Sequence, residues 1–146
     1  MDFSEYRFSE AHTWAKRDGD EVFIGITQFA ADQLGDIIFI ELPDVTAAIV
    51  VDEGLGSVES AKAVEDLVSP LSGEVTQVNE ELLDAPEILN EDPYAQGWLV
   101  AIKATDANAK EFDSLLGYDN YMAMLEESGD GNEEDDEDDD LYNSEE

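Results

Sequence analysis

The apolar residues of this chain come in short bursts, each stopped by Gly, Pro, Asp or Asn, and that punctuation restricts it to a fold of many short strands. "EVFIGI" (21–26) alternates loosely and is rich in β-branched and aromatic residues, the signature of a strand. "TQFAADQLG" then changes character. Thr27 is placed to cap a short helix, Phe29, Ala30, Ala31 and Leu34 give it an apolar face, and Gly35 ends it. "DIIFIELP" (36–43), a continuous apolar run closed by proline, reads as a buried strand. "AAIVVDEG" and "LGSVES" read as a strand pair turning at Asp52-Glu53-Gly54; "VEDLVSP" extends again, and "LSGEVTQVN" alternates through Val75 and Val78. In "DAPEILN", Asp84 as N-cap and Pro86 soon after it announce a short helix. "GWLVAIKA" (97–104) is the last strong strand. Beyond it Phe112, Leu115, Leu116, Tyr121, Met124 and Leu125 fall at helical spacings broken at Gly117, giving two helical segments packed on the domain. The expected class is all-β, a sandwich or barrel with helices at its edges.

With 146 residues and 42% hydrophobic content, the chain supports one core and not two comfortable ones. We expect one domain over residues 1–127 and a disordered acidic tail over 128–146, whose run "NEEDDEDDD" has too little apolar surface to order itself. That tail does not account for the acidity. It holds 11 of the 39 acids, which leaves residues 1–127 with 28 acids against all 6 basic side chains, a net charge of −22. Such a surface repels nucleic acid and anionic lipid, and it suits basic protein partners or a high-salt habitat. No run approaches the about 18 apolar residues of a membrane span. The N-terminus has no apolar signal segment and is too acidic for an intact transit peptide; it reads as a cytoplasmic protein or a processed mitochondrial one. Cysteine is absent, so thiol chemistry must arrive on a cofactor. With a single histidine and no cysteine, a transition-metal site is not expected, and His12 reads as a packed or partly exposed imidazole. Trp14 and Trp98 read as core or cleft-wall aromatics.

One of only four lysines sits in "GSVESAKAVEDL" (56–67). "LGSVES" and "AVEDLV" flank "AKA", which puts Lys62 at the apex of a tight hairpin, uncovered by its alanine neighbours and pointing away from the core. Acids stand three residues before it (Glu59) and three and four after it (Glu65, Asp66). Taken alone, this is an ordinary solvated turn lysine that is also accessible to a modifying enzyme.

The surrounding residues carry more. Glu59-Ser60-Ala61-Lys62-Ala63, Asp66, Pro70 to Val75, Asn79 to Leu82, Pro86 to Asn90, Asp92-Pro93-Tyr94 and Gly97-Trp98-Leu99 occur in the order of the motifs of glycine cleavage system H proteins. Upstream, "GITQFAADQLGDIIFIELP" and His12 with Trp14 continue the likeness, so residues 6–127 resemble that family. The resemblance implies a lipoyl-type barrel-sandwich of two small antiparallel sheets with short helices and a C-terminal helix. It implies lipoate attached to Lys62, with Glu59, Ser60 and Asp66 serving recognition or the arm's cleft. Alanines rather than methionines beside the lysine argue against biotin. It also implies a monomeric carrier with no catalysis of its own. On its lipoyl arm the aminomethyl group of glycine passes from glycine decarboxylase to aminomethyltransferase, dihydrolipoyl dehydrogenase reoxidises the dithiol, and a lipoate-attaching enzyme loads the lysine.

The chain departs from the pattern at Ala11-His12-Thr13-Trp14, where family members commonly have Ser-His-Glu-Trp and use the serine and glutamate to help hold the cargo's ammonium. Either Glu10 or Glu65 substitutes, or the carrier serves another system: a lipoyl relay, a redox-linked modification or sulfur-compound oxidation. A module that keeps only the fold and binds other proteins is the third reading.

Overall fold

The computed structural model describes residues 3–128. The acidic tail, expected to be disordered, lies almost wholly outside them. Among the described residues, six strands form one antiparallel sheet in the order β1 (Tyr6–Phe8), β2 (Thr13–Asp18), β3 (Glu21–Ile26), β9 (Val100–Lys103), β8 (Gly73–Val78) and β5 (Ala48–Ile49). Three more, β4 (Ile37–Glu41), β6 (Gly54–Ser60) and β7 (Val64–Val68), form a second sheet with β6 in the middle. One core joins them: Ile24, Val75 and Ile102 of the first sheet and Ile40, Val58 and Leu67 of the second belong to the same buried cluster. Burying each such side chain stabilises the fold by roughly 1.5–3 kcal/mol.

Local chemistry explains the helices that position the site. In α1 (Gln28–Leu34) the Thr27 hydroxyl accepts the Ala30 N–H at 3.2 Å, and Gly35 ends the helix at φ +73, a conformation that L side chains resist. In α4 (Asp106–Ser114) Thr105 and Asn108 form a reciprocal cap. α5 (Tyr118–Ser128) follows Gly117, and the chain between the two helices bridges to β1, with Phe8 N–H donating to Leu116 O at 2.7 Å. The fully buried Tyr121 ring stacks on Phe8 and ties α5 to a second, aromatic cluster with Tyr6 and Trp14. Trp14 lies over its Cα partner Gly25, where a Cβ would stand 2.5 Å from the indole, and its N–H donates to Pro93 O at 3.0 Å.

Three sequence expectations need correction. "DIIFIELP" is not uniformly buried. Ile37 pairs with Ser60 and Phe39 with Glu59, so Ile38 is an extra residue in a bulge, and both Ile38 and Phe39 are turned outward at 55% and 52% exposure. "AAIVVDEG" does not pair with "LGSVES": β5 pairs with β8 and β6 with β4 and β7. Asp52 at φ +69 turns the chain from one sheet into the other, its N–H donating to Ser69 O at 2.9 Å. Asp84 caps nothing; it is the last residue of α2 (Glu81–Asp84), and α3 (Ile88–Glu91) begins at Glu87 without a side-chain cap. Strands β1 and β2 have no clear signal in the sequence, because Arg7, Lys16, Arg17 and Asp18 break their apolar alternation.

Candidate functional site

The β6–β7 hairpin read from the sequence is present, and its turn is built by one hydroxyl. Ser60 Oγ accepts the N–H groups of Lys62 and Ala63 at 3.1 and 3.2 Å and donates to Ala63 O at 3.3 Å, while Ser60 N–H donates to Ala63 O at 2.8 Å. Ser60 is therefore buried, and Ala61, Lys62 and Ala63 are exposed. The Lys62 stem leans on the end of α1: a Cβ on Gly35 would stand 3.3 Å from its Cε.

Asn90, which nothing in the sequence singled out as a site residue, fixes the ground beneath the turn. Its amide donates to Gly35 O at 2.7 Å and accepts from Ile37 N–H at 3.0 Å, which clamps the α1–β4 loop. The residue between them, Asp36, offers its carbonyl to Ala61 N–H at 3.1 Å. The lysine turn thus rests on a loop held from α3.

Beside the hairpin, a cleft of ≈ 120 Å³ runs between β7, α1 and the loop before β2. Phe29, Ala30 and Leu34 of α1 and Val58 of β6 supply its apolar wall, and Glu65 and Asp66 of β7 lie along its other side. Register separates the two acids. Glu65 is opposite the fully buried Val58 and so belongs to the inward face, whereas Asp66 is opposite Ser57 on the outward face of this edge strand. Glu59, on the outward face opposite Val64, does not line the cleft, and neither does Glu10. Ala11, His12 and Thr13 form the far wall. Thr13 is buried and its hydroxyl is 2.6 Å from Ser9 Oγ, which also accepts the Ala11 and Thr13 N–H groups at 3.2 Å. Among the described residues, no acid lines the cleft from this side.

His12, at φ +68, holds the cleft to the C-terminal helix: Nδ1 is 2.8 Å from Tyr121 Oη, which is 2.9 Å from Thr27 Oγ1. The half-buried imidazole also packs on Phe29 at 4.6 Å between centroids. Trp14 is core, while Trp98 packs edge-to-face on Phe23 away from the cleft. Burial pushes the Tyr121 hydroxyl up to about 12, opposed by its bond to Thr27. A raised folded-state value means the stabilising neutral form is retained below the unfolded value near 10 and lost as pH climbs toward 12. Stability should fall across that window. Tyr121→Phe should flatten the fall by up to one proton's worth, at most about 1.4 kcal/mol per pH unit. Urea melts at pH 9 to 12 test this; an unchanged slope would place Tyr121 outside the alkaline transition.

The fit to a lysine-borne lipoyl chain is favourable. The stapled turn leaves Lys62 exposed, and the cleft on the same hairpin has an apolar wall from α1 and β6 and an acidic side from β7 suited to a cationic end. Among the described residues, no three His, Asp or Glu side chains come together as a metal site, and no helix is long and apolar enough to cross a membrane.

Two antiparallel sheets around one core, with a lysine at the apex of a hairpin of the smaller sheet, define a barrel-sandwich of the lipoyl class. Residues 6–128 match the family model of the glycine cleavage H-protein. The chain is 49% identical over 123 residues to the glycine cleavage system H protein of Geobacillus sp. (strain WCH70), covering 84% of this chain and 95% of that one. Identity to the counterpart of Bacillus cereus (strain AH820) is 51% over 118 residues, covering 81% and 91%. The crystal structure of a glycine cleavage system H protein from Mycobacterium marinum superposes with a TM-score of 0.75 at 32% identity, covering 84% of this chain and 98% of that one. The chain belongs to the glycine cleavage H-protein family.

Proposed function

We propose that this chain is a lipoyl carrier of the glycine cleavage system, with lipoate joined by an amide to Lys62. The observation that carries the reading is the exposed lysine on a turn stapled by Ser60, on the hairpin whose β7 strand lines a cleft that has an apolar wall and an inward-facing acid, Glu65. Lipoate, when bound, supplies the disulfide and dithiol chemistry that a cysteine-free chain lacks. The protein's own part is mechanical and electrostatic. The turn fixes the root of the arm, so the tip is kept at high effective concentration near glycine decarboxylase, aminomethyltransferase and dihydrolipoyl dehydrogenase in turn. The apolar wall of α1 and β6 accommodates the arm's methylenes, and the acids hold the ammonium of an aminomethyl cargo.

Glu65 fits that last role in the absence of a carboxylate at Thr13, because it shares the inward face with Val58; Glu10 lies outside the cleft. A charge-assisted hydrogen bond contributes about 1.5–3 kcal/mol. Glu65→Gln should therefore shorten the lifetime of the loaded arm about tenfold or more, with Glu10→Gln neutral. Equal lifetimes in the two variants would rule out Glu65.

The carrier reading is tested by expressing the full chain with a lipoate-attaching enzyme, measuring intact mass, and then assaying glycine–bicarbonate exchange with glycine decarboxylase. An unmodified chain overturns it. A modified chain that supports no exchange points to a lipoyl carrier for another system.

A further inference from the structure

The bulge in β4 aims large apolar side chains at solvent next to the lysine, and their placement has a pattern. Phe39 and Glu59 are Cα partners, as are Glu59 and Val64, so the three side chains form one row across the outward face of the small sheet. With neighbouring strands about 4.8 Å apart, the row is about 10 Å long, and Val64 stands two residues beyond Lys62. Phe39 is 52% and Val64 68% exposed. On its other side Phe39 opens onto a groove of ≈ 550 Å³ that Val45 and Leu83 also line, at 50% and 49% exposure. Exposed apolar side chains set on both sides of an acid, one of them an aromatic ring opening onto a further apolar groove, mark an interaction surface.

The charges around it describe the partner. Lys62 is the only lysine or arginine between Arg17 and Lys103, while Glu41 and Asp66 share the outward face with Glu59. A surface seated here must pair apolar groups with Phe39 and Val64 and basic groups with Glu59 and the acids beside it. Distance from the lysine selects which enzyme. Those that act on the tip of the arm meet it a full arm's length from Nζ, whereas the enzyme that attaches the arm must bring its own active site to Nζ and cover the turn's surroundings.

We propose that the Phe39–Glu59–Val64 row is the docking surface for the lipoate-attaching enzyme, with the Phe39 ring as its anchor; the inference rests on the carrier reading. In the step served, the carbonyl carbon of an activated lipoyl donor bonds to Nζ as its bond to the leaving group breaks. The ammonium sheds two protons, one to become the nucleophilic amine and one that departs with the leaving group.

The full chain and its variants are offered to a lipoate–protein ligase with lipoate and ATP, and attachment is followed by intact mass across a range of carrier concentrations. Combining Phe39→Ser with Val64→Ser should lower kcat/KM at least tenfold, mainly through KM, with the melting temperature held. Val50→Ser is the control. Val50 is an exposed valine at the open end of the hairpin, where Asp52 N–H meets Ser69 O, about 20 Å from the turn, and its rate should not change. The docking role is overturned if the double variant is acylated at the parent rate, if the loss lies in kcat alone, or if Val50→Ser loses as much. An unmodified parent chain overturns the carrier reading and this inference together.

Discussion

The Lys62→Arg chain, produced alongside a lipoate-attaching enzyme, is expected to carry no lipoyl group and to fold as the parent does. The guanidinium keeps its proton above pH 12 and its electrons are delocalised, so it does not present the free amine that acylation needs. Charge is conserved and the side chain is exposed, leaning on Gly35 without a hydrogen bond that the turn requires; Ser60 makes the turn through backbone N–H groups that arginine also has. Stability should therefore stay within about 0.5 kcal/mol. No other lysine replaces it. Lys16 stands over the Tyr6 ring, Lys103 is within β9 and Lys110 within α4, and none is presented on a stapled hairpin turn. Intact mass with peptide mapping decides the matter. A lipoyl group on the Lys62→Arg chain would remove the central residue of the functional reading.

Gly56→Ala should be the most damaging single-methyl change in the small sheet. Gly56 lies on β6, and a Cβ there would press into the carbonyl oxygen of Glu41 on β4, with Leu42 Cα at 3.5 Å behind it. Both obstacles are backbone, so no rotamer change relieves them. The strands must part, and β6 is the central strand of the small sheet, paired with β4 on one side and with β7 of the lysine hairpin on the other. Overpacking at a backbone contact costs about 2–4 kcal/mol, toward the upper end of such changes. For a domain of this size that is a melting temperature lower by roughly 10 °C. Gly19→Ala, in the turn between β2 and β3 with nothing within 4 Å of the added methyl, separates the two kinds of glycine: its cost is the strain of φ +62 alone. If calorimetry finds Gly56→Ala no worse than Gly19→Ala, the close approach of β4 to β6 is not as described.

Much of the site was legible because its determinants are local. The Thr27 cap acts over three residues and the Gly35 stop on its own backbone, so residue type at fixed spacing is enough to announce them; the Ser60 staple spans three residues as well, yet the sequence marks Ser60 only through the family resemblance. The two C-terminal helices were read from their spacing for the same reason. The failures were local too, in the sense that a correct local signal was overruled from afar. "DIIFIELP" has the composition of a buried strand, and only its pairing with Ser60 and Glu59 inserts the bulge that exposes Ile38 and Phe39. Asp84 has the chemistry of a cap, yet the preceding turn runs on through it.

From its amino acids alone, the chain determined its class, its family likeness, the hairpin and the one lysine at the hairpin's apex. Those features depend on backbone preferences and side-chain bonds spanning a few residues. Only the tertiary structure decided that Asn90 supports the loop under Lys62 across 53 residues of sequence, that Tyr121 meets His12 across 109, and that Glu65 rather than Asp66 faces inward. Each of these depends on which strand or helix lies alongside, and side-chain direction in a sheet reverses with a single residue of register.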